Sequence, residues 1–197
     1  NIAQRPLPLI WSMEPHPGTF YWNTMPPLYE TVLHFFWDVS ARNIFIPRIL
    51  SIIFHGGTLY LIYRLAKLLF GRRTASYAVL LSALNLAYIF YSKMIRCYSF
   101  LNMLTLLSVF LFFWMVKKRK FSPLSLTALL IVNTCLLYTF YFGAFVILME
   151  AFLALVVLRD RVSGKIFVWL AIPFVCFLPW LNHFLRDFLF EPVIKHC

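Results

Sequence analysis

A short polar turn between two long apolar runs contains the residues whose types are best suited to binding or chemistry. Residues 92–98 read SKMIRCY, which places Lys93 and Arg96 at a hydrocarbon boundary. A guanidinium offers planar, charge-assisted donors to phosphate oxygens, so the two cations predict a site for an anionic phosphate. The alternative is that both side chains only extend to water or to phospholipid head groups.

A pair of prolines in residues 25–30, MPPLYE, precedes an amphipathic stretch at Leu28–Val39. Proline is tolerated in the first turn of a helix, where its missing N–H costs nothing. Because a broad aromatic and aliphatic face alternates with Glu30, His34 and Asp38, we expect a helix that lies on the membrane surface. A half-buried cap on the helices below is equally compatible with the pattern.

A carboxylate, Glu150, interrupts one of the apolar runs. A charged group at the bilayer centre costs about 3 kcal/mol on insertion scales, so this side chain should face other helices or a hydrated cavity. His55, in the first long apolar run, is a possible partner. The alternative is a protonated glutamic acid that is hydrogen-bonded between helices.

Motifs of soluble enzymes are absent from the sequence, including GxGxxG, a Walker loop, HExxH and GxSxG. Four cysteines, Cys97, Cys135, Cys176 and Cys197, form no CxxC pair. The sequence therefore indicates no metal site and no cofactor, and leaves a divalent-metal requirement undecided.

The composition is that of a membrane protein. The chain has 197 residues, of which 62% are hydrophobic, 19% aromatic and only 13% charged. A soluble domain, a disordered chain and a coiled coil are all excluded, because too little polar surface is available. The net charge of +11 would suggest nucleic acid in a soluble protein. In a membrane protein it reflects topology, and we expect no nucleic-acid partner.

The predicted fold is all-α, a polytopic transmembrane helix bundle with an external N-terminal interfacial segment. Residues 1–47 contain too many prolines for a spanning helix. Residues 48–183 form a six-helix bundle and residues 184–197 an external tail or the start of another segment. The spans are predicted at 48–68, 74–92, 96–116, 121–139, 142–158 and 166–183. A first residue other than Met indicates a piece of a longer protein.

Basic residues concentrate in three turns on one side of this bundle, which identifies that side as cytoplasmic. These residues are Arg64, Lys67, Arg72, Arg73, Lys117, Lys118, Arg119, Lys120, Arg159, Arg161 and Lys165. The N-terminal segment and the tail are then external. We expect a multi-pass protein of the bacterial inner membrane.

Six landmarks in order resemble the polytopic GT-C glycosyltransferases of family 39, the protein mannosyltransferase type, which are related to aminoarabinose transferase. They are Met25-Pro26-Pro27-Leu28-Tyr29, Arg48-Ile49-Leu50-Ser51, Leu69-Phe70-Gly71-Arg72-Arg73, Tyr91-Ser92 through Arg96-x-Tyr98, Leu137-Tyr138-Thr139-Phe140-Tyr141-Phe142-Gly143, and Leu178-Pro179-Trp180-Leu181.

The resemblance implies transfer of a sugar from a polyprenyl-phosphate-linked donor to a lipid or protein acceptor at the outer membrane face, with membrane lipids as further partners. It assigns Arg96, and with it Arg48 and Lys93, to the donor phosphate. Tyr98, Tyr29 and Glu30 are assigned to substrate binding. The family's catalytic acid lies upstream of the proline pair, beyond this chain, so the catalytic residue is unknown.

Three positions depart from the family pattern. Met25 replaces His or Lys, Met94 replaces Glu and Phe140 replaces His, and each change removes a hydrogen-bonding group. Either the substrate differs or this relative is catalytically weakened. A degenerate GT-C relative that serves as a scaffold or lipid-binding subunit is therefore the alternative. A transporter fragment is a further one, although transporters are expected to show broken helices or internal repeats.

Overall fold

A computed structural model describes residues 26–39, 45–157 and 166–181, and within these ranges the chain is helical with short connections. Eight helices are present there. They are α1 (Leu28–Val39), α2 (Phe45–Phe70), α3 (Arg72–Ala83), α4 (Leu86–Lys93), α5 (Tyr98–Lys118), α6 (Pro123–Thr139), α7 (Gly143–Val157) and α8 (Ile166–Leu181). The prediction of an all-α membrane helix bundle is confirmed.

Helices occupy the position of every predicted span. Two of them, α2 and α5, are long and apolar enough to cross a membrane, and α3 with α4 gives a third if the bent pair is one span. The shorter apolar helices α6, α7 and α8 fill the remaining positions. The total of six spans and the domain division stay predictions.

Several predicted features lie outside the described residues. They are most of the N-terminal segment including Met25, the basic turn with Arg159, Arg161 and Lys165, and the tail at 184–197. The helix predicted over Leu28–Val39, in contrast, is observed as α1 with these bounds, while its position on a membrane surface stays a prediction.

The prediction of one continuous helix over 74–92 is wrong. The chain bends by 60° between α3 and α4. Asn85 causes this break, because its side chain accepts a hydrogen bond from the Ala87 backbone N–H and so begins a new helix. The Leu84 and Asn85 N–H groups bind the carbonyls of Leu80 and Ser82, which closes the preceding helix.

Local signals set the tight turns at the end of the bundle where α2 ends. Gly71, with a φ of 97°, joins α2 to α3 in a conformation that favours glycine. Helix α5 ends at Arg119 in the left-handed region, φ 49°. Pro123 then begins α6 behind Ser122, whose side chain accepts from the Ser125 N–H.

Helix α2 packs along both α5 and α3, while α5 also packs on α6. One apolar core lies between α5, α6, α7 and α8. A second core joins α1 to α2, α5 and α6. Through this second core, α1 is held across one end of the bundle, where it brings its own polar residues to the turn that contains Arg96.

Candidate functional site

Tyr29 anchors α1 to the bundle. Its side chain is 4% exposed, and its ring centroid lies 6.3 Å from that of Phe100 on α5. Phe100 in turn lies 4.8 Å from Phe54 on α2. The ring of Tyr29 is thus fixed among aromatic side chains of two long helices, and its hydroxyl position is set by this packing.

A hydroxyl on α2 fixes the turn that contains Arg96. Ser51 is buried, and its Oγ lies 3.2 Å from the Pro47 carbonyl oxygen and 3.1 Å from that of Met94, to which it donates. On the far side of the turn, the Ser99 hydroxyl donates to the Tyr91 carbonyl at 3.1 Å. The turn is therefore tied both to α2 and to the start of α5.

The charge of Arg96 acts on both predicted substrate residues of α1. Burial raises the pKa of Glu30 above its ordinary value, and the Arg96 guanidinium partly opposes that rise. Burial also raises the pKa of Tyr29, whose phenol therefore keeps its proton. Arg96 itself is exposed. We call Tyr29, Glu30, Ser51 and Arg96 the Arg96 cluster.

The Tyr29 hydroxyl is a buried group without a hydrogen-bond partner in the part of the chain that the structure describes. Ser51 lies close enough to lower the pKa of Tyr29 as a hydrogen-bonding neighbour would, but the proton of its own hydroxyl is directed to the main-chain carbonyls of Pro47 and Met94. An unsatisfied buried hydroxyl is costly, and such groups in native proteins call for an explanation. A donor within electrostatic range of an exposed arginine is suited to an anionic ligand.

The other predicted phosphate and substrate residues lie at the same end of the bundle. Arg48, one turn before Ser51, is exposed, as is Lys93 beside Met94. Tyr98 is half-buried, with its ring 4.9 Å from that of Tyr91. The structure thus brings Tyr29, Glu30 and Arg96 together, with Arg48 and Lys93 near the Ser51 contact. Ser51 was not predicted as a site residue, although it ends the landmark Arg48-Ile49-Leu50-Ser51.

Glu150 lies in a separate polar cluster inside the bundle. It is fully buried, and its carboxyl oxygens lie 2.6 Å from Ser108 Oγ and 2.9 Å from Asn133 Nδ2. Ser108 also contacts Asn133 Oδ1. The suggested pairing with His55 is wrong, because the His55 ring lies instead beside Tyr88, 5.7 Å between centroids.

Proton counting explains this arrangement. The serine hydroxyl has one proton but faces two acceptor oxygens, one on Asn133 and one on Glu150. A protonated Glu150 donates to Ser108, Ser108 to Asn133, and the Asn133 amide back to Glu150, which closes a ring in which each contact has one donor and one acceptor. The geometry therefore favours the neutral acid. Asn133, a lone amide within an apolar run, was the signal available in the sequence.

The family model described as dolichyl-phosphate-mannose-protein mannosyltransferase matches residues 24–183. The chain belongs to this family. No curated protein and no solved structure matches the chain. The matched region begins just before the proline pair and extends past α8, so it includes the complete Arg96 cluster.

Membership of the mannosyltransferase family identifies the chain as a membrane glycosyltransferase of the GT-C type. Two positions that depart from the expected family pattern can be placed in the structure. Met94 ends α4 and uses its carbonyl to hold Ser51. Phe140 ends α6, with its ring 5.3 Å from that of Phe142. Met25 lies outside the described residues.

Proposed function

We propose that the protein transfers a sugar from a polyprenyl-phosphate carrier to a lipid or protein acceptor at the outer face of the membrane, with Arg96 binding the carrier phosphate. The observation that supports this most directly is the juxtaposition of an exposed guanidinium with a buried, unpartnered tyrosine hydroxyl. Both are donors, and neither donates a hydrogen bond to another described residue.

The chemistry of group transfer makes use of such donors. A new bond forms between the acceptor atom and the anomeric carbon while the bond from that carbon to the phosphate oxygen breaks. The electron pair of the broken bond goes to the phosphate oxygen, and the acceptor loses its proton to a base that we do not assign within this chain. Arg96 and Tyr29 would stabilise the charge that develops on the phosphate. Arg48 and Lys93 would add to the same field.

Glu30 has a different role in this proposal. Its carboxylate lies near enough to Arg96 to be stabilised by it, and its burial on α1 keeps it close to the phosphate position. Carboxylate oxygens accept hydrogen bonds from sugar hydroxyls, which neither Arg96 nor a protonated Tyr29 can do as well. We therefore place the sugar of the donor on the Glu30 side of the cluster.

A second function, a lipid-binding subunit without transferase activity, is favoured by Met94 and Phe140. Their side chains are half-buried and apolar where the family pattern has hydrogen-bonding groups. A transporter is favoured by the break between α3 and α4. However, the N–H groups of Leu84, Asn85 and Ala87 at that break all have acceptors, so the break is explained by ordinary helix capping.

Binding of polyprenyl phosphate to the full-length protein in nanodiscs tests the phosphate site. Arg96→Ala should weaken binding by roughly tenfold to a hundredfold, the value of a hydrogen bond to a charged group. Arg96→Lys should recover part of it. Arg72→Ala, an exposed arginine at the start of α3, is the matched control and should bind as the wild type does. Polyprenol, which lacks the phosphate, should bind all four proteins equally weakly.

Equal affinity of Arg96→Ala and Arg72→Ala for polyprenyl phosphate would remove the phosphate site. Transfer from a polyprenyl-phosphate-linked sugar, measured in membranes, then separates the two functions. Binding with transfer supports the enzyme, and binding without transfer supports the lipid-binding subunit.

A further inference from the structure

A cleft of about 600 Å³ opens at the opposite end of the bundle, between the C-terminal turns of α2 and α5. Arg64 lies 16 residues after Arg48 on α2, which separates the two positions by about 24 Å along the helix. The lining residues are Arg64, Lys67, Leu68, Phe110, Trp114, Lys117 and Lys118. We call this the Arg64 cleft. Of these described lining residues, four are cations and none is acidic.

Aromatic rings hold the Arg64 side chain in place. Its guanidinium carbon lies 5.6 Å from the ring centroid of Tyr60 and 5.3 Å from that of Phe110. One of its nitrogens donates to the Tyr60 hydroxyl at 2.6 Å. A guanidinium has five N–H donors, so four remain for another acceptor. Lys67 is similarly placed 5.8 Å from the Tyr63 ring centroid.

The structure gives only part of this positive charge a partner. Lys117 donates to the Leu68 carbonyl and so satisfies the C-terminal end of α2. Neither carboxylate whose side chain the structure describes is paired with these cations, because Glu30 lies in the Arg96 cluster and Glu150 is bound to Ser108 and Asn133 inside the bundle. Within the described residues, then, no acid compensates Arg64, Lys67 or Lys118.

We propose that the Arg64 cleft binds the phosphate head group of an anionic membrane lipid. A phosphate matches the planar donor set of Arg64 and the flanking ammonium groups. Helices α2 and α5 are long and apolar enough to cross a membrane, so their ends lie at the level of the lipid phosphates. The walls formed by Leu68, Phe110 and Trp114 are apolar or amphipathic, which suits the glycerol and upper acyl region of a lipid rather than a free ion.

Quenching of tryptophan fluorescence by lipids brominated in their acyl chains tests this proposal on the full-length protein in nanodiscs. The signal of the cleft is the difference between wild type and Trp114→Phe. We expect brominated phosphatidylglycerol to quench that signal at a surface fraction about tenfold lower than brominated phosphatidylcholine does, the order expected for several cations near an anionic head group. Equal quenching by the two lipids would overturn the proposal.

Matched variants test whether the preference for phosphatidylglycerol over phosphatidylcholine depends on the Arg64 cleft. Arg64→Gln combined with Lys117→Gln should abolish it, whereas Arg72→Gln combined with Arg73→Gln, an equal loss of charge outside the cleft lining, should retain it. If the first double variant fails to fold, Lys118→Gln is compared with Lys120→Gln, since both are exposed and only Lys118 lines the cleft. Equal behaviour within either pair would overturn the assignment to this cleft.

Inorganic phosphate distinguishes the two sources of the same chemistry. In nanodiscs, millimolar phosphate should leave quenching by brominated phosphatidylglycerol unchanged if the occupant is a lipid. Displacement of the lipid by inorganic phosphate at these concentrations would show a site for a soluble phosphate and would overturn the lipid assignment.

Discussion

Replacement of Tyr29 by phenylalanine should change stability and ligand binding in opposite directions. The substitution removes one oxygen and leaves the ring in its contact with Phe100, so packing in the second apolar core is preserved. The oxygen that is lost is buried and makes no hydrogen bond to the described residues. Its removal therefore relieves a desolvation cost without breaking an interaction.

The size of the effect follows from that burial. Burying a hydroxyl without a partner costs about 1 to 3 kcal/mol in protein mutational data. Because the removed oxygen leaves a small gap, we expect a net stabilisation at the lower end, about 1 kcal/mol, or roughly 2 to 4 °C in melting temperature for a chain of this size. A phosphate that accepted the same hydroxyl should bind about tenfold less tightly.

Tyr138→Phe provides the matched control. The Tyr138 hydroxyl donates to the Cys176 carbonyl at 2.8 Å, so the same chemical change should destabilise the protein by about 1 kcal/mol. Melting of the two variants in one detergent, with polyprenyl phosphate binding measured in parallel, gives the comparison. A Tyr29→Phe variant that melts lower than wild type would refute the reasoning, because it would mean that the hydroxyl has a partner in the unliganded protein.

Three further predictions concern other positions. Glu150→Gln should keep the ring with Ser108 and Asn133 and change stability by less than about 0.5 kcal/mol, whereas Glu150→Ala should cost about 2 to 3 kcal/mol; equal losses in denaturant titrations would contradict the neutral acid. Gly143→Ala places a Cβ 2.8 Å from Leu136 Cγ and 3.0 Å from the Leu136 backbone, so it should lower the free energy of unfolding by about 1 to 3 kcal/mol. Gly56→Ala meets nothing within 4 Å and should be neutral or stabilising, and the melting temperatures of the two variants check this difference. Since burial raises the pKa of Glu30, the folded state binds the proton more tightly than the unfolded state, so stability should fall as pH rises from below 4.5 through the raised value. The melting temperature of Glu30→Gln should lack this fall between pH 4 and 8. Parallel curves of melting temperature against pH for wild type and Glu30→Gln would contradict the prediction.

Most of the helix positions could be predicted from the sequence. Hydropathy is a local property, and a run of about 20 apolar residues is enough to indicate a membrane helix. The proline pair and the amphipathic pattern after it predicted α1 with its observed bounds. The break at Asn85 escaped the prediction because one polar residue in an apolar run does not reveal whether its side chain caps a helix or faces a neighbouring one.

The Arg96 cluster was predicted in part. The residue type marked Arg96, the family resemblance assigned Tyr29 and Glu30 to substrate binding, and the order of the landmarks indicated the family, which the family match confirmed. Ser51 could not be chosen from the sequence, since its contact with Met94 joins residues 43 positions apart. Such contacts depend on how α2 and the following turn are rotated towards each other.

The sequence alone determined that this protein is a bundle of apolar helices, because each helix must satisfy its own backbone and cover it with apolar side chains. Which polar groups meet could be read only from the folded chain, because their contacts depend on the rotation of each helix about its axis and on packing between distant segments. Packing joined Glu150 to Ser108 and Asn133 rather than to His55, and left the Tyr29 hydroxyl without a hydrogen-bond partner among the described residues, within electrostatic range of Arg96.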